Sequence, residues 1–162
     1  MVTRAAAILA ALLLPCASAW AGCVTQEERA AKMVRHMQTQ LMVGALQCRG
    51  SRDLGQREIY NRVVTVHNAE LTRYGEILIS HFRRGHGPDA RSALDSQVTG
   101  MANRVSAKSR SVADFCTAVA RFGESLLRPS TVDLAAAAGR TPIPYSPDEP
   151  CCPAETVAAG MR

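Results

Sequence analysis

Aromatic residues and lysine are scarce in this sequence. Phe, Trp and Tyr together make up 4% of the 162 residues, and only Lys32 and Lys108 are lysines among the 19 basic residues. Nucleic-acid surfaces usually combine basic runs with aromatic side chains that stack on bases, and neither is present here. The preference for arginine is typical of a GC-rich genome. We therefore expect no nucleic-acid partner.

The short motifs of common enzyme classes are missing as well. The sequence has no G-x-S-x-G, no H-E-x-x-H, no phosphate-binding loop and no Gly-rich dinucleotide fingerprint. The C-x-x-C-H motif of covalent haem attachment is also absent. A catalytic triad built from distant residues would leave no such motif. On balance the pattern favours a binding or structural role without a cofactor over catalysis.

Only one long apolar run is present, and it lies at the start of the chain. Residues 1–4 form a short, positively charged segment. Residues 5–14 are apolar, but they are too few to cross a bilayer as a helix. Small residues with A-x-A spacing follow at 17–19 and again at 19–21, which suits cleavage by a signal peptidase. These features predict a cleaved signal peptide over residues 1–21 and an exported, periplasmic bacterial protein.

A second processing route starts from Cys23. The small residues Ala21 and Gly22 before it resemble the acylation box of bacterial lipoproteins. That box normally has an aliphatic residue three places upstream of the cysteine, where this chain has Trp20. A lipoprotein anchored through Cys23 is the alternative, and it is the only membrane attachment that we expect.

Four amphipathic stretches predict helices, and no stretch predicts a strand. Apolar residues recur in each at three- and four-residue spacing, and the weak break at 106–111 leaves open whether the last two are one bent helix. The first predicted helix runs from a Thr25–Glu28 capping box to about residue 48, and the second from about 56 to 82. The third covers about 89 to 107. The fourth covers about 112 to 126 and follows a second capping box of Ser111 and Asp114.

The chain changes character beyond Pro129. Five prolines follow Gly139, so we predict an extended, mobile, surface-lying tail over 129–162, with a short helical turn in 132–138. Residues 24–128 carry 16 basic against 10 acidic side chains, whereas the tail carries 2 against 4. A basic body favours anionic partners, although solvated surface arginines explain the same count.

The predicted fold is therefore all-α. We expect a small antiparallel bundle of three or four helices over residues 24–128, stapled by disulfides and followed by a Pro-rich, largely irregular tail over 129–162.

Five cysteines remain if the chain is cleaved before Cys23, so at least one has no partner within the chain. Cys48 and Cys116 are the favoured pair, because each lies on the apolar stripe of a predicted helix. A bridge between them closes a loop of 68 residues and contributes about 4 kcal/mol in the loop-entropy model. The alternative is two buried thiols that pack as small apolar groups.

Cys151 and Cys152 stand together in the tail, and three interpretations compete. In the first, one of them bridges back to Cys23 and ties the tail to the start of the first helix. In the second, they form a vicinal disulfide, which strains the backbone. In the third, they bind a soft metal as a pair of thiolates.

Two further groups of residues offer metal or haem chemistry. Met33, His36 and Met37 share one helical face, and thioether and imidazole ligands together suit copper. The two methionines also lie on the core stripe, and core packing is the favoured interpretation. His67 lies on an apolar stripe where it could serve as the axial ligand of a non-covalent haem.

The function that we expect is binding or structural. Such a protein would hold an envelope protein or a small apolar ligand against a groove between helices. The competing hypothesis is a periplasmic carrier of copper, through Met33, His36 and Met37, or of haem, through His67.

Overall fold

Six α-helices follow one another in a computed structural model that describes residues 23–50, 54–128 and 132–152. Those ranges contain no β-strand, so the all-α prediction is confirmed. The predicted signal peptide lies outside the described residues. The helices are α1 (Gln26–Gln47), α2 (Gln56–Val66), α3 (Asn68–His86), α4 (Ala90–Ser109), α5 (Phe115–Leu126) and α6 (Leu134–Ala138).

Helix α1 begins at the predicted capping box. The Glu28 N–H donates to Thr25 Oγ1 at 3.1 Å, and the Thr25 N–H donates to Glu28 Oε2 at 3.0 Å. These two bonds satisfy backbone donors that a helix start leaves without partners. The helix ends at Cys48, followed by one turn of 3-10 helix to Gly50.

The single helix that we predicted over 56–82 is wrong, because the chain leaves helical geometry at His67 between α2 and α3. His67 has φ −102° and ψ 18°, and its ring Nε2 bonds to the carbonyl oxygen of Leu126 at 2.9 Å. That carbonyl belongs to the last residue of α5, so no N–H of its own helix donates to it. Helix α3 then continues to His86 and ends at Gly87, whose φ of 52° favours glycine.

The weak break before the last helix is a true interruption between α4 and α5. The capping box predicted there is wrong. Asp114 has a left-handed φ of 49° and makes no side-chain cap, while Ser111 Oγ donates backwards to the Lys108 carbonyl at 2.8 Å. The residue types suited a cap, but the local turn directs both side chains elsewhere.

Helix α1 is the centre of the bundle, because it contacts each of the other five helices. Its apolar side chains interleave with those of its neighbours in one continuous core. The fully buried members of that core include Val34, Met37 and Leu41 of α1, Val63 of α2, Leu78 of α3, Val105 of α4, Val119 of α5 and Leu134 of α6.

Two glycines let α5 approach α1 and α2 closely. A Cβ added to Gly44 would lie 2.7 Å from Val119 Cγ1, and one added to Gly123 would lie 2.4 Å from Ile59 Cγ2. Both distances are below van der Waals contact, so neither position has room for a side chain. The missing Cβ atoms set how closely these helices pack.

Two disulfides staple the bundle. Cys48 bonds to Cys116, the pair favoured from the sequence, with Cα atoms 5.6 Å apart. Cys23 bonds to Cys152, with Cα atoms 5.0 Å apart. The first bridge joins the end of α1 to α5, and the second joins Cys23, three residues before α1, to the tail. Acylation of the Cys23 sulfur and this second bridge exclude each other.

Replacing Gly123 by Ala should destabilise the protein by about 1–3 kcal/mol, because the new methyl group overlaps Ile59 in a packed core. Gly100→Ala is the matched control, since its Cβ would meet only the flexible end of Arg104 at 3.4 Å. The control should be neutral or stabilising by up to about 1 kcal/mol through helix propensity. Urea unfolding measures both, and equal stabilities for the two variants would contradict the close packing.

Replacing both Cys48 and Cys116 by Ala should lower the free energy of unfolding by about 4 kcal/mol, because the unfolded chain loses a closed 68-residue loop. Urea unfolding under non-reducing conditions measures the loss. The role assigned to this bridge would be wrong if the wild type and the double variant unfolded at the same urea concentration.

Candidate functional site

A stripe of polar side chains is buried along one side of α1. It consists of Glu28, Lys32, His36 and Gln40, which follow one another at four-residue spacing and therefore share a helical face. Lys32 is 1% exposed and Gln40 is fully buried. Lysine and glutamate are rarely buried without partners, so each member of this polar stripe needs a specific contact.

Gln40 binds the backbone of the tail. Its Nε2 donates to the Ile143 carbonyl at 2.8 Å, and its Oε1 accepts from the Ile143 N–H at 2.9 Å. One side-chain amide thus satisfies both backbone groups of a buried residue. The Ile143 carbonyl also accepts from Thr141 Oγ1 at 3.0 Å.

His36 lies one turn earlier, between Gln40 and the ring of Tyr145. Its Nδ1 is 3.0 Å from Gln40 Nε2, and its ring stacks on Tyr145 with centroids 4.5 Å apart. Burial, together with the nearby charges of Lys108 and Arg104, lowers the pKa of His36 to about 4. The imidazole is therefore neutral at physiological pH and accepts a hydrogen bond from the amide through Nδ1.

Lys32 pairs with Glu149 of the tail. Partial burial works to raise the pKa of Glu149, but the hydrogen bond from Lys32, a backbone hydrogen bond and the charge of Lys32 together lower it on balance. The neighbouring Arg29 donates from Nη2 to the Glu149 carbonyl at 3.1 Å. A buried ammonium group thus meets its counter-charge in the tail.

Glu28 completes the stripe, and its partners come from α3. Arg84 Nη2 donates to Glu28 Oε1, and His81 Nδ1 lies 3.2 Å from Oε2. Burial works to raise the pKa of Glu28, but the Thr25 backbone bond, Arg84 and His81 together lower it on balance.

The tail runs antiparallel to α1 over the polar stripe, and residues 143–152 are called the tail strap from here on. At the far end the Val24 N–H donates to Pro150 O and the Cys152 N–H donates to Val24 O, both at 2.9 Å. The tail is irregular beyond α6, as predicted. Over residues 132–152, however, it differs from the surface-lying segment that we expected, because Leu134 and Ile143 are buried.

The tail cysteines follow the first of the three interpretations. Cys152 bonds to Cys23, so its sulfur takes no part in a vicinal disulfide or a metal site. Cys151 is an exposed free thiol, and Arg29 Nε donates to its Sγ at 3.1 Å.

The residues considered for copper and haem have packing partners. Met37 is fully buried in the core, and Met33 packs against that core at its edge. His36 Nδ1 bonds to Gln40, and His67 Nε2 bonds to the end of α5. In the described ranges no three His, Cys, Asp or Glu side chains come close enough together to hold a metal ion. A copper site that uses the methionines stays a prediction.

A cleft of about 660 Å³ opens between α1, α3 and α4. Its volume falls within the range of about 300–1,000 Å³ that is typical of ligand pockets. Four of its fourteen lining residues have apolar side chains, and they come from α2, α3 and α4: Val64, Leu71, Ile79 and Leu94. Charged side chains surround these, namely Arg35, Arg83, Arg91, Glu76 and Asp95.

Arg35 reaches this cleft from the central helix. A Cβ added to Gly75 of α3 would lie 3.4 Å from Arg35 Nη2, so the guanidinium lies over a position without a side chain. Burial lowers the pKa of Arg35, while Tyr60 and Asp95 act in the opposite direction. Arg35 Nη1 donates to Gln38 at 2.9 Å, and within the described residues it forms no ion pair.

A second cavity of about 480 Å³ lies between α4 and the tail strap. Its basic lining residues, Arg104 and Lys108, face the acidic Asp148 and Glu149. Glu149 already pairs with Lys32, so this cavity is less suited to a ligand than the cleft.

Sequence reasoning included the disulfide that ties the tail to Cys23, but it missed the packing of the tail strap along α1 and it missed the cleft. The signal for that packing was four polar residues at four-residue spacing in α1, two of which, Lys32 and Gln40, take partners in the tail. No sequence motif marked Arg35 and Gly75 as neighbours, because their proximity depends on how α1 packs against α3.

Comparisons with protein-family models, with curated proteins and with solved structures found no match for this chain.

The stability of the protein should fall as the pH decreases from 6.5 towards 4. His36 binds a proton in the unfolded chain within this window but not in the folded one, so lower pH favours unfolding. Protonation of His36 should lower the free energy of unfolding by about 3 kcal/mol across the whole window. Urea unfolding across this pH range measures it.

His36→Gln should flatten this pH dependence, because the variant has no imidazole to protonate at the buried position. His86→Gln, at an exposed histidine, is the matched control and should keep the wild-type slope. Identical slopes in all three proteins would show that His36 does not drive the effect.

Proposed function

We propose that this chain is an exported bacterial binding protein, periplasmic or associated with the envelope, that holds a small apolar ligand in the cleft between α1, α3 and α4. The cleft itself is the observation that carries the proposal. It has the volume of a ligand pocket, and its apolar lining comes from three helices that pack around a stapled core.

Rigid helices position the lining of the cleft. Leu71 and Leu94 are buried residues of the main core as well as lining residues, so core packing fixes their positions. A site on packed helices is preorganised, which reduces the conformational entropy lost on binding. This property suits a binding protein.

The cysteines support export. Two disulfides in a chain of this size are typical of an oxidising compartment, since thiols in the cytosol are kept reduced. In the ranges that the structure describes, no helix has both the length and the apolar character needed to cross a membrane.

The buried charges support a binding role over catalysis. Glu28 and Lys32 each bond to a fixed partner, which holds α3 and the tail strap against α1. His36 is enclosed between Gln40 and Tyr145. These groups act in structural contacts, and none of them lines the cleft.

A neutral fluorescent probe, N-phenylnaphthylamine, tests the proposal. It should bind the purified mature protein saturably at one site, with increased emission, and decanol should displace it. Gly75→Leu should abolish this binding, because the new side chain fills the cleft next to Arg35. Gly100→Leu makes the same change on α4 outside the cleft and should bind the probe like the wild type.

Two results would overturn the proposed function. One is the absence of saturable probe binding, and the other is equal binding to the wild type and to Gly75→Leu. A Soret band or stoichiometric copper in the purified protein would instead favour the metal or haem carrier.

A further inference from the structure

We propose that the ligand of the cleft is a small organic monoanion, with its carboxylate or similar oxyanion bound by Arg35 and its apolar part over Leu71 and Leu94. The inference rests on the proposed function, because it specifies the ligand of the same cleft.

The guanidinium of Arg35 has hydrogen-bond donors to spare. An arginine carries five N–H donors, and in the described structure one of them bonds to Gln38. No carboxylate lies within ion-pair distance of it, although the group is partly buried. An oxyanion that enters the cleft would meet a partly desolvated cation, where charge-assisted hydrogen bonds are strongest.

The charge around the cleft selects an anion with a single negative charge. Three arginines line it against two carboxylates, which leaves one positive charge in excess. Arg83 and Arg91 also form no ion pairs within the described residues. Glu76 and Asp95 would repel a second negative charge.

The apolar lining residues determine the chemistry of the uncharged part of the ligand. Leu71 and Ile79 come from α3, one to two helical turns from Gly75 on either side, and Leu94 faces them from α4. A ligand that placed its charge at Arg35 would cover this surface with its hydrocarbon part. Burial of that surface contributes free energy in proportion to its area.

Gly75 leaves α3 without a side chain beside the Arg35 guanidinium. A Cβ there would lie 3.4 Å from Arg35 Nη2, at ordinary van der Waals contact, so alanine would fit. A long side chain such as leucine would extend into the cleft next to the guanidinium.

A matched pair of fluorescent probes tests the inference. Anilinonaphthalene sulfonate is N-phenylnaphthylamine with one added sulfonate, so the pair separates charge from apolar contact. The wild type should bind the anionic probe about tenfold more tightly, the size of one charge-assisted hydrogen bond. Arg35→Gln should remove this preference and leave binding of the neutral probe unchanged. Arg110→Gln, at an exposed arginine outside the cleft, should keep it.

Competition in the unmodified protein provides a second measurement that does not depend on how the variants fold. Decanoate should displace the neutral probe at about tenfold lower concentration than decanol, and the dianion sebacate should compete less well than decanoate. If the neutral probe binds in the cleft but charge gives no advantage, the inference is wrong and the proposed function stands. If neither probe binds saturably, both are wrong.

Discussion

The burial of the polar stripe on α1 is the constraint on which the rest of the structure depends. A lysine ammonium and a glutamate carboxylate that lose their water must each gain a partner, or the fold loses several kcal/mol. Lys32 gains Glu149 and Glu28 gains Arg84. The tail strap is therefore an integral part of the bundle, although its prolines and its lack of regular structure suggest an appendage.

Helix α1 serves two parts of the structure. One face carries the polar stripe and is closed by the tail strap, with a disulfide at its end. Arg35, which lies beside that face, extends into the cleft between α3 and α4. The tail strap and the glycine contacts of α5 hold α1 in place, so Arg35 is presented from a helix that the rest of the bundle surrounds.

Much of the helical fold could be predicted from the sequence, because apolar periodicity and the Thr25 capping box are local signals. The break at His67 could not, since it reflects a hydrogen bond to the end of α5, 59 residues later. The same holds for Gln40, whose partner Ile143 is 103 residues away. The cleft also depends on distant contacts, because Arg35 and Gly75 meet only when α1 and α3 pack together.

The tail strap has a consequence for the order in which the chain can fold. Helix α1 is synthesised before the tail strap, so Lys32 and Gln40 meet Glu149 and Ile143 only after the strap has been made. Before the strap is made, the other helices can cover only the apolar side of α1. A partly made chain therefore carries α1 with the polar stripe still in water, and that face of the helix is covered only when the tail strap packs against it.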